Sequence, residues 1–438
     1  MNNEVVTRFA PSPTGFLQAG NYRTAVFSYL FARANNGKFI LRIEDTDKGR
    51  SKKEYADNIF ESLTWLGLDY DNADNVPYQS KRTEIYKKYL QKLLDENKAY
   101  VSKEEIRNER DRPEVIRFRN SNKKVTFHDL VRGEITIDTS DLGDFVIAKG
   151  IDEPMFHLTV VIDDYEMKIT HVIRGEDHIS NTPRQILIQE ALDIPAPFYA
   201  HLPLILAPDR TKLSKRKGAL AMTEYRDRGF LPEALLNYLA MLGWNPGTNQ
   251  ELFSGEELIK AFDLAKVQKS AAIFNQEKLD WYNHEYLKRL SPDEFFEKAK
   301  PFLADLEQLD RYDQDKMKKI LPLVLERINK LGDIQEMIER QELQYFFAPP
   351  LYPKELLKNQ GYLNDLIRLV GEIDANNFTA ETVKAIIWDF ASERGRGNVL
   401  WPMRVALSGL AKSPDPFIIA SIIGQAETIK RLTNAANL

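Results

Sequence analysis

Apolar positions along this chain follow two periods, and the first change of period falls within the opening fifty residues. Val5-Val6-Thr7-Arg8-Phe9-Ala10 has the β-branched and aromatic character of a buried strand, and Pro11-Ser12-Pro13-Thr14-Gly15 ends it with turn formers. From Asn21 to Asn35 the spacing of Val26, Tyr29, Leu30 and Arg33 predicts a helix, with Asn36-Gly37 as its stop. Phe39-Ile40-Leu41-Arg42-Ile43 predicts a second strand. Strand, crossover helix and strand open a parallel sheet, and such sheets place ligands at the carboxyl ends of their strands. The Pro-rich turn after Ala10 and the acidic run Glu44-Asp45-Thr46-Asp47 occupy two such ends.

Between about 70 and 150 the pattern changes to a charged helix and short alternating strands, such as Glu134-Ile135-Thr136-Ile137-Asp138 and Asp144-Phe145-Val146-Ile147, and reads as an insertion. The parallel pattern resumes at Met167-Lys168-Ile169-Thr170-His171-Val172-Ile173-Arg174, a strand ending in charge, with a helix from Thr182. Beyond about 230 the periodicity is helical to the end of the chain. Pro232 opens one helix with Leu235, Leu236, Leu239 and Leu242 on one face and Gly243 closing it. Ser254 with Glu257, and Ser291 with Pro292 and Glu294, have the spacing of capping boxes.

A length of 438 residues predicts two to four domains, and 43% hydrophobic with 29% charged residues is the composition of a folded globular protein. No run of eighteen apolar residues occurs, and Met1-Asn2-Asn3-Glu4-Val5-Val6 lacks the regions of a signal peptide, so a cytoplasmic location is expected. The absence of cysteine excludes disulfides, thiolate zinc sites, iron–sulfur clusters and cysteine nucleophiles. The six histidines, at 128, 157, 171, 178, 201 and 284, show no metal-binding spacing, and packing or surface roles are expected of them. A net charge of −5 neither supports nor excludes an RNA partner, because an acidic protein can carry a local basic face.

Two segments carry candidate phosphate chemistry. Arg210-Thr211-Lys212-Leu213-Ser214-Lys215-Arg216-Lys217-Gly218 places five cations in nine positions, which suits a polyphosphate; standing alone it reads better as a solvated basic loop. Leu17-Gln18-Ala19-Gly20-Asn21 opens the first helix, where free N–H groups and the positive dipole end favour an anion, although an ordinary cap has the same appearance. No GxGxxG follows the first strand, which weighs against a dehydrogenase.

Taken together, these segments gain meaning. Arg8-Phe9-Ala10-Pro11-Ser12-Pro13-Thr14-Gly15 and Arg42-Ile43-Glu44-Asp45-Thr46-Asp47 resemble the signature segments of the glutamyl-tRNA synthetases. Gln18 to Asn21 resembles the HIGH signature of class I synthetases, and Lys212-Leu213-Ser214-Lys215-Arg216 their KMSKS signature. Val172-Ile173-Arg174-Gly175-Glu176-Asp177-His178, Phe230-Leu231-Pro232-Glu233-Ala234, Leu279-Asp280-Trp281-Tyr282-Asn283 and Pro402-Met403-Arg404-Val405-Ala406 extend the likeness over nearly the whole chain.

The resemblance implies an α/β fold: a Rossmann-like parallel-sheet catalytic domain (1–75 and 165–230) with an inserted acceptor-binding subdomain (76–164). A helical stem-contact region (231–324) and an all-α anticodon-binding domain (325–438) would follow. It implies activation of L-glutamate with ATP and transfer to the 3' end of tRNA(Glu) by a monomer with no membrane partner. Arg8 and Arg174 would then hold the two carboxylates of glutamate, Glu44 its ammonium group, and Ala10, Ser12 and Phe156 would complete the pocket. Gln18, Gly20, Asn21, Lys212, Ser214, Lys215 and Arg216 would bind ATP, with Lys215, Lys212 and Gln18 stabilising charge at the reacting phosphate and magnesium accompanying the nucleotide.

Three positions depart from the family. Gln18 stands where His is usual, and Phe156 where a Tyr hydroxyl commonly touches the substrate; Ala99 to Arg117 lacks the zinc-binding cysteines of some members, so no structural zinc is expected. Two alternatives follow: a glutaminyl-tRNA synthetase, and a catalytically impaired relative that only binds tRNA.

Overall fold

Residues 4–106, 112–211, 213, 220–309 and 312–438 are described by a computed structural model, in which the chain forms two units, Met1–Asp227 with Leu231–Tyr282 and Arg228–Phe230 with Asn283–Leu438. In the first unit, strand β1 (Val6–Phe9) is buried along its whole length and pairs in parallel with β2 (Lys38–Leu41) across the crossover helix α1 (Ala19–Ala34). The helix starts two residues before the expected Asn21, because Gln18 is extended (φ −109°, ψ 172°) and its amide donates to the Asn21 side chain at 3.2 Å. Its stop is the expected one. Asn36 takes φ 51°, the Gly37 amide closes onto the Ala32 carbonyl at 2.8 Å, and a Cβ on Gly37 would overlap the Val5 carbonyl oxygen. Tyr22, Arg23, Val26, Phe27 and Leu30 of α1 are buried, whereas the expected Tyr29 and Arg33 lie half-buried; later helices of the unit pack on α1 as well as the sheet, so its buried surface is wider than one stripe.

There follow α2 (Lys53–Trp65), α3 (Thr83–Asp95), β3 (Ala99–Lys103), β4 (Glu114–Phe118), β5 (Lys124–Asp129), β6 (Gly133–Asp138), β7 (Phe145–Ala148), α4 (Phe156–Glu166), β8 (His171–Gly175), α5 (Thr182–Leu192) and β9 (Phe198–Leu202). Strands β3, β4 and β7 make an antiparallel sheet; β6, β5, β9 and β8 make another in that order, antiparallel between β6 and β5 and parallel across β5, β9 and β8. Beside β8 lies β1, with the Thr170 amide donating to the Val6 carbonyl at 2.9 Å. One apolar cluster joins Val6, Leu90, Phe118, Phe127, Leu158, Ile162, Val172, Ile188 and Tyr199.

The strand expected from Met167 begins only at His171. Met167-Lys168-Ile169-Thr170 alternates apolar and polar residues as a strand would, but Met167 caps α4 and Lys168 takes φ 56°, so these four residues turn the chain rather than extend it. After β10 (Ile205–Leu206) and α6 (Met222–Asp227), α7 (Pro232–Met241) forms with Pro232 in its first turn and Gly243 beyond it at φ 90°. Leu235 and Leu239 are buried, but so are Ala234, Asn237, Tyr238 and Ala240, while Leu236 is half-buried; the helix is enclosed rather than one-faced. Both capping boxes form, Ser254 on α8 (Gly255–Ala261) and Ser291 on the helix Pro292–Ala299. Among the described residues the helical stretch is interrupted once, by β11 (Ala272–Ile273), which pairs in parallel with β10.

The second unit is helical between Pro292 and Ala436 among the described residues. Residues 228–230 belong to it because Gly229, at φ 81°, lies against the Leu331-Gly332 backbone, where a Cβ would come 2.6 Å from the Gly332 nitrogen. Arg431, 3% exposed, ties it internally by donating to the carbonyls of Tyr345 and Leu407 at 2.7 and 2.6 Å. Among the described residues no helix is long and apolar enough to cross a membrane.

Candidate active site

A cavity of about 500 Å³ opens where β1 and β8 end and α1 begins. Nine predicted site residues line it: Arg8, Ala10, Ser12, Gln18, Gly20, Asn21, Glu44, Phe156 and Arg174. Lys212, Ser214, Lys215 and Arg216 lie outside the described residues, although Leu213 between them reaches the cavity wall. The turn after β1 is fixed to the end of β2 by backbone bonds, Arg42 to Phe9 and Glu44 to Pro11, both at 3.0 Å. That pairing sets Arg8 and Glu44 side by side at the strand ends.

Arg8 does not stand alone. Its Nε and Nη2 donate to the two carboxylate oxygens of Asp164 on α4 at 3.2 and 3.5 Å. Arg42, fully buried, bridges Asp164 at 2.8 Å and Glu44 at 2.9 Å and lies 3.7 Å from Asp163. Asp163 in turn accepts from Arg82 at 2.7 Å, Tyr86 at 2.8 Å and Gln79 at 2.9 Å. Three guanidiniums and three carboxylates thus balance. Burial alone would raise the Asp164 carboxyl, but Arg8 and Arg42 hold it below the ordinary range; at Glu44 burial prevails over Arg42 and its pKa is raised. The sequence reading assigned no part to Asp163, Asp164 or Arg82. The one visible signal is the adjacent acidic pair Asp163-Asp164 directly after the apolar run Val160-Val161-Ile162.

Arg174, 6% exposed, has different company. Nε donates to His201 Nε2 at 3.2 Å, Nη2 donates to Thr182 Oγ1 at 2.8 Å, and the guanidinium carbon lies 5.5 Å from the centre of the Tyr199 ring. No carboxylate among the described residues forms an ion pair with it. Burial consequently lowers its pKa to about 10. A desolvated charge without a counter-ion is costly, and an anion reaching the cavity would offset that cost.

Around this cation the imidazoles are held neutral. Burial, and then the Arg174 charge, lower His178 on the cavity wall to about 4; burial, and then Arg184 and Arg174, lower His157 to about 4. Two of the six histidines expected to serve packing or surface roles therefore belong to the site: His178 lines it and His201 holds its arginine. Arg23 of α1 was also missed. It lines the cavity while donating to the carbonyls of Pro203 and Leu242.

At the start of α1 the Gln18 carbonyl takes the amides of Asn21 and Tyr22, and a Cβ on Gly20 would meet nothing within 4 Å. Gly20 lines the cavity, and its amide, which precedes the first intrahelical bonds, can face an anion there. Phe156 opens α4 with its ring 5.9 Å from that of His178, so a hydrocarbon edge occupies the place of a hydroxyl.

A strand-end cavity with an anion-binding helix start and an arginine pair fits a class of protein that joins a carboxylate to a phosphate, and comparison with known proteins agrees. The catalytic-domain model of class I tRNA synthetases (E and Q) matches residues 4–114 and 102–281, and an anticodon binding domain model matches 294–436. The chain belongs to this class I synthetase family. It is 42% identical to a glutamate–tRNA ligase of Aquifex aeolicus and 41% identical to one of Thermodesulfovibrio yellowstonii, in each case over 98% of both chains. The crystal structure of a glutamate tRNA ligase from Elizabethkingia meningosepticum, in complex with its amino acid, superposes with a TM-score of 0.89 at 33% identity over 99% of both chains. The catalytic domain with its parallel sheet and the helical anticodon-binding domain are those of the family.

Proposed function

We infer that this chain is a glutamate–tRNA ligase, activating L-glutamate with ATP to glutamyl-adenylate and passing the acyl group to the 3' end of tRNA(Glu). The unpaired charge of Arg174 carries the reading. Arg8, Arg42 and Arg82 balance Glu44, Asp163 and Asp164, and Arg23 and Asp177 on the wall offset each other, so Arg174 leaves one net positive charge, and glutamate, with two carboxylates and one ammonium group, supplies one net negative charge. Glutamine, net neutral, would leave Arg174 uncompensated, which favours the glutamyl over the glutaminyl reading.

In this reading Arg8 and Arg174 each face one carboxylate. Glu44 gives Oε1 to Arg42 and keeps Oε2 for the ammonium group, and Ala10, Ser12 and Phe156 form the wall. The start of α1, with Gln18, Gly20 and Asn21, seats the phosphates, and Lys212, Ser214, Lys215 and Arg216 supply the cations and the hydroxyl that bind them. Attack of the α-carboxylate on the α-phosphate releases pyrophosphate, whose growing charge falls to Lys215 and Lys212. Gln18 donates one amide hydrogen bond there and adds no charge. Magnesium would accompany the nucleotide on its phosphate oxygens, hard donors that need no dedicated cage of protein ligands. Transfer to the terminal ribose needs proximity more than a strong base. The inserted segment 76–164 would meet the acceptor end, 231–324 the stem and 325–438 the anticodon, and the enzyme would work as a cytoplasmic monomer.

Pyrophosphate exchange with glutamate, ATP and tRNA(Glu) tests this reading, with glutamine and tRNA(Gln) as the competing pair. Robust glutamate-dependent exchange is expected, and Lys215→Ala should lower its rate by about a thousandfold with tRNA affinity unchanged. A protein that binds tRNA and supports no exchange would be the binding-only relative.

A further inference from the structure

Arg174 has five N–H donors in a rigid plane. Nε–H and one Nη2–H share the side-on edge; Nη1–H and the other Nη2–H share the end-on edge. The protein uses the side-on edge, through His201 Nε2 at 3.2 Å and Thr182 Oγ1 at 2.8 Å, and these two acceptors lie 3.1 Å from each other. Neither His201 nor Thr182 lines the cavity, and both are fully buried.

Strand register explains why His201 is there. Arg174 of β8 stands directly opposite His201 of β9, so the two side chains leave the sheet on the same face. Behind His201 is Asp129, at the end of β5 and 1% exposed. Its Oδ2 accepts from His201 Nδ1 at 2.6 Å and from the His201 amide at 3.0 Å, while Oδ1 accepts from the amides of Val131 and Arg132 at 2.9 and 2.8 Å. Guanidinium has no acceptor, so His201 Nε2 must carry no proton; the ring proton sits on Nδ1, donated to Asp129. Thr182, the first residue of α5, accepts from Arg174 and donates to the His178 carbonyl at 3.2 Å.

We propose that Asp129, His201 and Thr182 are positioning residues for substrate recognition: they fix the tautomer and occupy the side-on edge of Arg174, so that its end-on N–H pair meets the substrate carboxylate. The inference rests on the reading of Arg174 as a glutamate ligand. A flexible cation thereby becomes a fixed fork before the substrate arrives, and its orientation entropy is not lost on binding.

The test is the KM for glutamate and for ATP, with kcat, in tRNA-dependent pyrophosphate exchange. His201→Asn keeps a polar group near Asp129 and removes the acceptor facing Arg174. It should raise the glutamate KM by about tenfold or more and move the ATP KM and kcat by less than about twofold. His201→Gln places an amide oxygen near the Nε2 position and should restore the glutamate KM to within about threefold of wild type. A merely structural histidine predicts the opposite order, because Gln leaves buried Asp129 unpaired. Thr182→Val against Thr182→Ser repeats the comparison with smaller substitutions, so a His201 variant that does not fold leaves the matter decidable. A wild-type glutamate KM in His201→Asn and Thr182→Val, or equal rises for glutamate and ATP, overturns the proposal. Arg174→Gln is the control: if it raises the glutamate KM while those variants do not, only the positioning role falls; if it leaves the glutamate KM unchanged, the glutamate reading of Arg174 falls with it.

Discussion

Arg8 and Arg174 are equally buried, at 6% exposure, and each gives its Nε and Nη2 edge to the protein, yet their electrostatic settings are opposite. Arg8 donates to a carboxylate that Arg42 shares, within a group of balanced charges. Arg174 donates to an imidazole and a hydroxyl, both neutral, and keeps its full charge. The first seat is complete without a ligand and contributes to folding. The second lacks a counter-ion of its own, and in the proposed reading its cost in the free protein is the source of selectivity for a charged side chain.

The comparison breaks most readily at Asp164. Asp164→Ala removes the shared partner of Arg8 and Arg42, leaving two buried guanidiniums short of charge, and should cost about 3–5 kcal/mol in urea-induced unfolding. A loss below about 1 kcal/mol would mean that the first seat contributes little to the fold. Arg174→Gln should act in the reverse sense. Removing an unpaired buried charge leaves stability unchanged or raised, while the glutamate KM rises about a hundredfold and the ATP KM stays within about twofold. Destabilisation by several kcal/mol, with both KM values moving together, would place Arg174 in the same class as Arg8.

The difference between the seats was only half legible in the sequence. Elements set by local pattern were readable: β1, the stop of α1 at Asn36-Gly37 and both capping boxes depend on neighbours within a few residues. The nine described site residues were readable because they lie at strand ends and in recognisable segments. What surrounds the arginines was not. Asp164 is 156 positions from Arg8 and 122 from Arg42, and Asp129 is 72 from His201, separations that no period encodes. The start of β8 falls later than its pattern suggests for a related reason: apolar and polar residues already alternate from Met167 to Thr170, and only the Lys168 backbone marks the change.

The smallest expected effect reads the second seat through its neighbour. His178 and His157, each lowered to about 4, bind no proton in the folded state at pH values where the unfolded chain, with an ordinary value of 6.5, has begun to bind one. Their folded pKa values lie below the unfolded ones, so the stability they contribute is complete above about 6.5 and declines as pH falls towards about 4, by at most about 1.4 kcal/mol per pH unit for each ring. Burial is the larger cause at His178 and the Arg174 charge the next, with Arg8 ranking lower. Neutralising Arg174, by Arg174→Gln or by bound glutamate, should therefore raise the His178 titration midpoint by a few tenths of a unit or more in ¹⁵N-labelled protein and soften the acid decline. Arg8→Gln should move it less, because part of that charge is already met by Asp164. Equal shifts from the two variants would show that the carboxylate beside Arg8 does not screen it, and the contrast between the seats would then be one of shape rather than of charge.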